Sequence, residues 1–420
     1  MSFVCNFGKA ALATLLLTPS ISAADYTPQE TVLNSGRPTF YDASTSIPGK
    51  IALEEHVGND LLNGLYTVPY YPNTNEPQYS DSVYIADVGE KMLDIPSRIA
   101  NMDAANISIS VLTFGGPGIQ GVFNATYATY AAGYVNDYLY KNYKNNANYT
   151  GRFEFWCSNA LQEPSKAATE LERCVKELGG VGSFVGGYTN NGGINGTAND
   201  IVYLDDPSME PFLEKVVELD VPIYLHPRMP APSQLLSVKG YEFLGSSPWG
   251  FSSETGAHAL RLMVSGTLDK YPTLKIVLGH CGEGLPFFLP RIDQRLRHFK
   301  KELFNNTLTM EEYWLRNFYV TTAGVQDAGT LVDTIKRTGE DRVMFSVDYP
   351  FEDTVEIAGW FDRLEMNTLT KTKLAYENAK ALLKLTCYVD AEKRPRIFNK
   401  HHVDDIIKHT HSPCIWTLFH

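Results

Sequence analysis

Between residues 50 and 385, short apolar runs rich in β-branched and aromatic residues alternate with longer stretches whose apolar positions recur every three or four residues. The short runs carry the pattern of buried strands, and the longer ones that of amphipathic helices. Strands are predicted at Ile51–Val57, Ser108–Phe114, Phe153–Leu161, Gly182–Tyr188, Pro222–Pro227, Lys275–Gly282, Phe318–Gly324 and Val343–Pro350. Thr169–Leu178 and Ala257–Met263 show the helical spacing most clearly. Eight strand-helix units in about 335 residues predict a (β/α)8 TIM-like barrel. A doubly wound open sheet is the alternative, but no Gly-x-Gly-x-x-Gly turn follows the first strand.

Both ends of the chain break this pattern. Met1–Lys9 is weakly basic, Ala10–Leu17 is apolar, and Ser20–Ala24 is small-residue sequence. This is the layout of a signal peptide over residues 1–24, cleaved near Ala23 or Ala24, and it predicts a secreted protein. The apolar run falls well short of the roughly 20 residues that a spanning helix needs. Residues 25–49 read as an extended leader, 50–385 as the barrel, and 386–420 as an irregular tail. That tail holds His401, His402, His409, His411 and His420, and reads as a loosely ordered extension rather than a metal-binding segment. Sequons at Asn106, Asn124, Asn148, Asn195 and Asn305 fit the secretory route, with Asn195 in the most loop-like surroundings.

Composition narrows the function. With 44% hydrophobic residues the chain can build a core, and a net charge of -12 argues against a nucleic-acid surface or a polybasic membrane patch. Six cysteines are too few for a disulfide scaffold of this size. Cys157 and Cys174 read as small buried thiols on a strand and the following helix, whereas Cys387 and Cys414 are free to pair.

The chemistry gathers at strand ends, where a barrel places its catalytic groups. The first strand ends Leu53-Glu54-Glu55-His56, so Glu54 and His56 share a face. Others end at His226, His280 and Asp348. Taken singly, each has an ordinary structural reading as a bonded core histidine or a helix-capping carboxylate. Together they would bring five ionisable groups to one mouth, which a low-dielectric site holds only with a cation or extensive pairing. Two imidazoles and two carboxylates match a divalent-metal site with an open position. His258, mid-helix, reads as packing, and Cys281 as a buried thiol. Tyr66–Tyr84 is placed to cover the mouth as a lid.

The segments Lys50-Ile-Ala-Leu-Glu-Glu-His56, Pro222-Ile-Tyr-Leu-His-Pro-Arg228, Leu278-Gly-His-Cys-Gly-Glu-Gly-Leu-Pro286 and Phe345-Ser-Val-Asp-Tyr-Pro-Phe-Glu352 resemble the amidohydrolase-related aromatic acid decarboxylases. The γ-resorcylate and 2,3-dihydroxybenzoate decarboxylases are the most similar of these. The resemblance runs over residues 50–385 and takes in Glu254–Met263, Arg291-Ile-Asp293 and Trp360-Phe-Asp362. It implies that Glu54, His56, His226 and Asp348 ligate one divalent ion, that His280 and Glu283 stand beside the substrate, and that the protein is a dimer or tetramer. Mixed nitrogen and oxygen ligands suit zinc or manganese, with magnesium also open, and no organic cofactor is needed. Hydrolytic relatives open with His-x-His, where this chain has Glu54. No bridging lysine stands in Ser183–Gly187 either. Both departures favour one metal and a decarboxylase.

On this resemblance the substrate is an ortho-hydroxybenzoate, and the ring carbon is protonated before CO2 leaves because direct loss would create an aryl carbanion. Asp348 is the proton donor, with His280 oriented by Glu283. Arg291 is either a carboxylate clamp or a partner of Asp293, and Trp249 and Phe251 either stack on the aromatic ring or line a subunit interface. The rival is a secreted metal-dependent hydrolase of an ester, lactone or amide using the same ligands. A non-catalytic barrel would be expected to have lost ligands.

Overall fold

The computed structural model describes residues 47, 49–58, 79–116 and 118–385. The expected signal peptide, nearly all of the leader, most of the Tyr66–Tyr84 loop, and the tail with Cys387 and Cys414 lie outside the described residues.

Each predicted strand has a counterpart. β1 (Lys50–Val57) pairs in parallel with β2 (Ile107–Phe114), and β2 with β3 (Phe153–Phe155). Beyond Trp156, whose N–H still donates to the Leu112 carbonyl at 2.9 Å, β4 (Cys157–Ser158) carries the same run onto β5 (Ser183–Gly186). A small antiparallel ribbon of β6 (Thr189–Asn190) and β7 (Ile201–Val202) follows. The parallel order then continues from β5 through β8 (Ile223–His226), β9 (Ile276–Leu278) and β10 (Phe318–Thr321) to β11 (Val343–Met344). Past β11 the chain returns to β1: His56 N–H donates to the Tyr349 carbonyl at 2.7 Å and Asp348 N–H to the Glu54 carbonyl at 3.1 Å. This joins last strand to first, the pairing order of a (β/α)8 barrel.

Two apolar clusters follow from strand alternation. One gathers Ile51, Leu53, Val111, Trp156, Phe184, Tyr224, Val277 and Met344 from successive strands. The larger packs the opposite strand faces, such as Ala52, Leu112, Leu225 and Leu278, against the helices. A register shift between Ala52 and Glu55 interrupts the alternation of β1. There the N–H groups of Leu53 and Glu54 both donate to Ser346 Oγ, at 3.1 and 2.8 Å. Leu53 therefore joins the strand cluster, while Glu54 turns toward Tyr224 and His226.

Two expectations are corrected. Cys157 and Cys174 form a disulfide, because the helix Pro164–Glu177 docks its Cys174 onto β4 with the Cα atoms 6.1 Å apart. The sixth predicted strand also ends early, at Leu278. The chain then turns through left-handed backbone at His280, Cys281, Gly282, Glu283 and Gly284 (φ 49°, 55°, 82°, 56° and 70°). Cys281 is still buried, but the turn rather than strand alternation puts it there.

Candidate active site

Glu54, His56 and His226 end β1 and β8 and are brought together with ligand atoms all within 4.8 Å of one another. His226 Nε2 lies 3.1 Å from Glu54 Oε1, close enough for an ion pair but off the line of a hydrogen bond. His56 Nε2 lies 3.1 Å from Asp348 Oδ1, which joins the fourth expected ligand to the group. Glu54 and His56 are fully buried and His226 is 7% exposed. Glu54 Oε1, His56 Nδ1 and His226 Nδ1 are all buried without a hydrogen-bond partner. Unsatisfied buried lone pairs cost about 1–3 kcal/mol each, so an orphan cluster this dense fits a coordinated cation.

A second arm leads away from Asp348. Its Oδ2 is 3.5 Å from His280 Nε2, His280 Nδ1 is 2.8 Å from Glu283 Oε1, and Ser252 Oγ donates to Glu283 Oε2 at 2.7 Å. Burial alone would push Asp348 up, but its contacts with His280 and His56 hold its carboxyl well below the usual carboxylate range. Burial opposes a charge on His280 as well. There the Glu283 and Glu54 carboxylates and the Asp348 contact win, and raise the imidazole well above its ordinary value. Both shifts favour the charged forms of this pair, an ionised Asp348 beside a protonated His280.

The backbone confirms that this corner is specialised. Of the seven non-glycine residues with positive φ among the described residues, four are His280, Cys281, Glu283 and Asp348 (φ 80°). Such conformations cost of order 1–3 kcal/mol each and persist where surrounding structure enforces them, commonly at active sites. Gly279 and Gly324 make room for it. A Cβ at Gly279 would sit 2.6 Å from Glu54 Oε2, and one at Gly324 (φ 63°) would sit 2.9 Å from His280 Cδ2.

Other expected residues stand apart. Arg291 is exposed on the helix Leu285–Leu296 and joins no ion pair among the described residues. Asp293 instead accepts the N–H groups of Met310 and Glu311, capping the next helix. Trp249, 57% exposed, precedes the helix Gly250–Val264, in whose first turn Phe251 is half-buried. No ring contact links either to the histidines among the described residues. His258 is buried and accepts the Leu204 N–H at 3.0 Å through Nε2, a packing role.

Three neighbours were not singled out from sequence. Tyr224 donates its hydroxyl to Glu54 Oε2, and period-2 spacing from His226 would have placed it on the same face. Ser252 carries no comparable signal, since its partner lies 31 residues away. Glu254 is buried, and burial, with a smaller push from the Glu283 charge, raises it to about 8 against the pull of Arg228 and of Tyr203.

Fold and site together define an α/β protein with parallel strands and, at their ends, a buried Glu54/His56/His226 group able to hold a metal ion. Residues 98–385 match the amidohydrolase family. The γ-resorcylate decarboxylase of Polaromonas sp. is 38% identical over 341 residues, covering 80% of this chain and 99% of the relative. A crystal structure of dihydroxybenzoic acid decarboxylase from Polaromonas sp., with bound manganese and the inhibitor 2-nitroresorcinol, superposes with a TM-score of 0.73. It is 37% identical, and the match covers 81% of this chain and 98% of that one. 5-Carboxyvanillate decarboxylase from Novosphingobium aromaticivorans, complexed with manganese and 4-hydroxy-3-methoxy-5-nitrobenzoic acid, gives 0.72 at 30% identity, covering 80% of this chain and 96% of that one. The chain belongs to the amidohydrolase family, on the branch that holds the γ-resorcylate decarboxylases. It is an enzyme of the carboxy-lyase class.

Proposed function

We propose that this protein decarboxylates an ortho-hydroxybenzoate to a phenol and CO2 without oxidation, with 2,6-dihydroxybenzoate as the lead substrate and 2,3-dihydroxybenzoate and salicylate as alternatives. The observation that carries this is the buried junction of the Glu54/His56/His226 triad with the Asp348–His280–Glu283 chain. The substrate class is supported by the relatives, whose names specify dihydroxybenzoates and carboxyvanillate.

Glu54, His56, His226 and Asp348 would hold one divalent ion; manganese is bound in the two solved relatives described above, and zinc suits the same donors. When bound, that ion supplies positive charge that anchors an ortho-hydroxycarboxylate and lowers the phenol pKa. Asp348 delivers a proton to the ring carbon that bears the carboxylate. His280 Nε2, 3.5 Å from Asp348 Oδ2, is placed to resupply that proton. Glu283 fixes the imidazole by its bond to Nδ1, and Ser252 fixes Glu283. The C–C bond then breaks, CO2 leaves, and the ring regains aromaticity with the proton in place of the carboxylate. Arg291 remains the candidate carboxylate clamp, and Trp249 and Phe251 the candidate ring contacts. A homo-oligomer, dimer or tetramer, belongs to the same reading.

Secretion belongs to the same reading. The Cys157–Cys174 bond is of the kind kept in oxidising compartments, and the sequon residues Asn124, Asn148, Asn195 and Asn305 are exposed. No helix among the described residues is long and apolar enough to cross a membrane.

The reading is tested by incubating manganese-loaded protein with the three hydroxybenzoates and, in parallel, with aryl esters and lactones. It predicts equimolar phenol and CO2 from at least one hydroxybenzoate. Turnover of esters with none of the acids consumed would replace it with the hydrolase.

A further inference from the structure

We propose that Arg98 is a positioning residue, holding the end of β1 and the Asp348 turn in register so that Glu54, His56 and Asp348 meet as one ligand set. This rests on the metal-site reading above.

Arg98 lies on the helix Ile95–Ala104, outside the strand layer, and is 1% exposed. Its helix start is fixed by Asp94, whose side chain accepts the Ser97 N–H at 3.0 Å and whose carbonyl accepts the Arg98 N–H at 3.2 Å. From this platform Arg98 Nη2 donates to the backbone carbonyl of His56, and the guanidinium carbon sits 4.1 Å from the centre of the Tyr349 ring. One planar group thus touches a residue of the first strand end and the neighbour of Asp348 in the last.

The same two segments are tied directly to each other. His56 donates to the Tyr349 carbonyl at 2.7 Å and Asp348 to the Glu54 carbonyl at 3.1 Å. The Tyr349 hydroxyl reaches the Lys91 carbonyl at 3.2 Å, and the Val347 N–H lies 3.4 Å from Glu55 Oε1. Arg98 sits behind this seam, on the side facing the helices, where Glu55 is also buried. No sequence-local signal marks it, because its hydrogen-bond partner is 42 residues away.

A merely structural role fits poorly. Burying a guanidinium is costly, the charge of the buried Glu55 carboxyl offsets that cost only in part and without a close ion pair, and Nη1 has no hydrogen-bond partner. A well-packed apolar side chain would fill the same space at lower cost. What an arginine adds is a flat donor that can bond a carbonyl and stack on an aromatic ring at once. Lysine keeps the charge and loses that geometry. Supporting residues of this kind typically change metal affinity or activity by 10–100-fold when altered.

The test is a Mn2+ titration of metal-free Arg98→Lys against wild type, read by the EPR signal of free Mn2+, with thermal unfolding of each apo protein as the folding control. The expected result is a cooperative transition in both proteins, a Mn2+ Kd about 10–100-fold weaker in the variant, and a fall in kcat with KM changed little. A folded Arg98→Lys that binds Mn2+ within twofold of wild type overturns the proposal. Should Arg98→Lys fail to fold, Tyr349→Leu removes the ring beneath the guanidinium and leaves Arg98 in place. It should weaken Mn2+ binding about tenfold, and wild-type affinity there overturns the proposal equally. Absence of Mn2+ binding by the wild type is a different failure: it removes the metal reading and this proposal with it.

Discussion

Glu254 shows how much a single buried carboxyl can reveal. Burial pushes it up to about 8 from the ordinary 4.5, against the pull of Arg228 and Tyr203. The folded protein therefore keeps a proton that the unfolded chain releases once the pH passes 4.5. The stability this group contributes is present at low pH and is lost as pH rises from 4.5 through about 8. At most about 5 kcal/mol is involved over that window. Glu254→Gln, which stays neutral, should show a smaller fall in Tm between pH 5 and 9 than wild type. Parallel Tm profiles for the two proteins would refute the assignment. At this scale the sequence was informative where an apolar run stopped at one ionisable residue, as at His226 and Asp348. It was silent where the partner comes from a distant segment, as for Ser252 and Glu283 or Arg98 and His56.

Among the elements, the strands were the most legible, because parallel strands buried on both faces stand out as short apolar runs between helical stretches. Their ends were less so. Reading Lys275–Gly282 as one strand carried alternation past Leu278, although Gly282 and Gly284 already marked a turn. The docking of the helix Pro164–Glu177 on β4 was not readable either. A separation of 17 residues between Cys157 and Cys174 does not say that both side chains meet in the same layer. The bond predicts its own consequence. Closing a loop of this length is worth roughly 3 kcal/mol, so Cys157→Ala/Cys174→Ala should lower Tm by several degrees with activity retained. Intact-mass measurement before and after reduction and alkylation checks the bond itself. Two alkylatable thiols at these positions in native protein unfolded without reductant would contradict it.

For the whole molecule, the architecture follows from the alternation of strands and helices, and the site follows from where the strands end. The strands β1 and β8 and the turns after β9 and β11 supply Glu54 and His56, His226, His280 and Asp348, and the structure brings them together, the first three buried and the last two partly exposed. Arg291, read as a carboxylate clamp or a partner of Asp293, and Trp249, read as a ring contact or an interface residue, are both exposed, on or beside helices rather than at a strand end. The central claim is that this one cluster both holds a divalent ion and drives loss of CO2. The most direct measurement is metal content together with CO2 release from 2,6-dihydroxybenzoate, on wild type and Asp348→Asn prepared identically. The account predicts about one ion per wild-type chain, as a single-metal site requires, and CO2 release that Asp348→Asn abolishes. A wild-type protein that binds no metal, or an Asp348→Asn variant that releases CO2 at the wild-type rate, would contradict it.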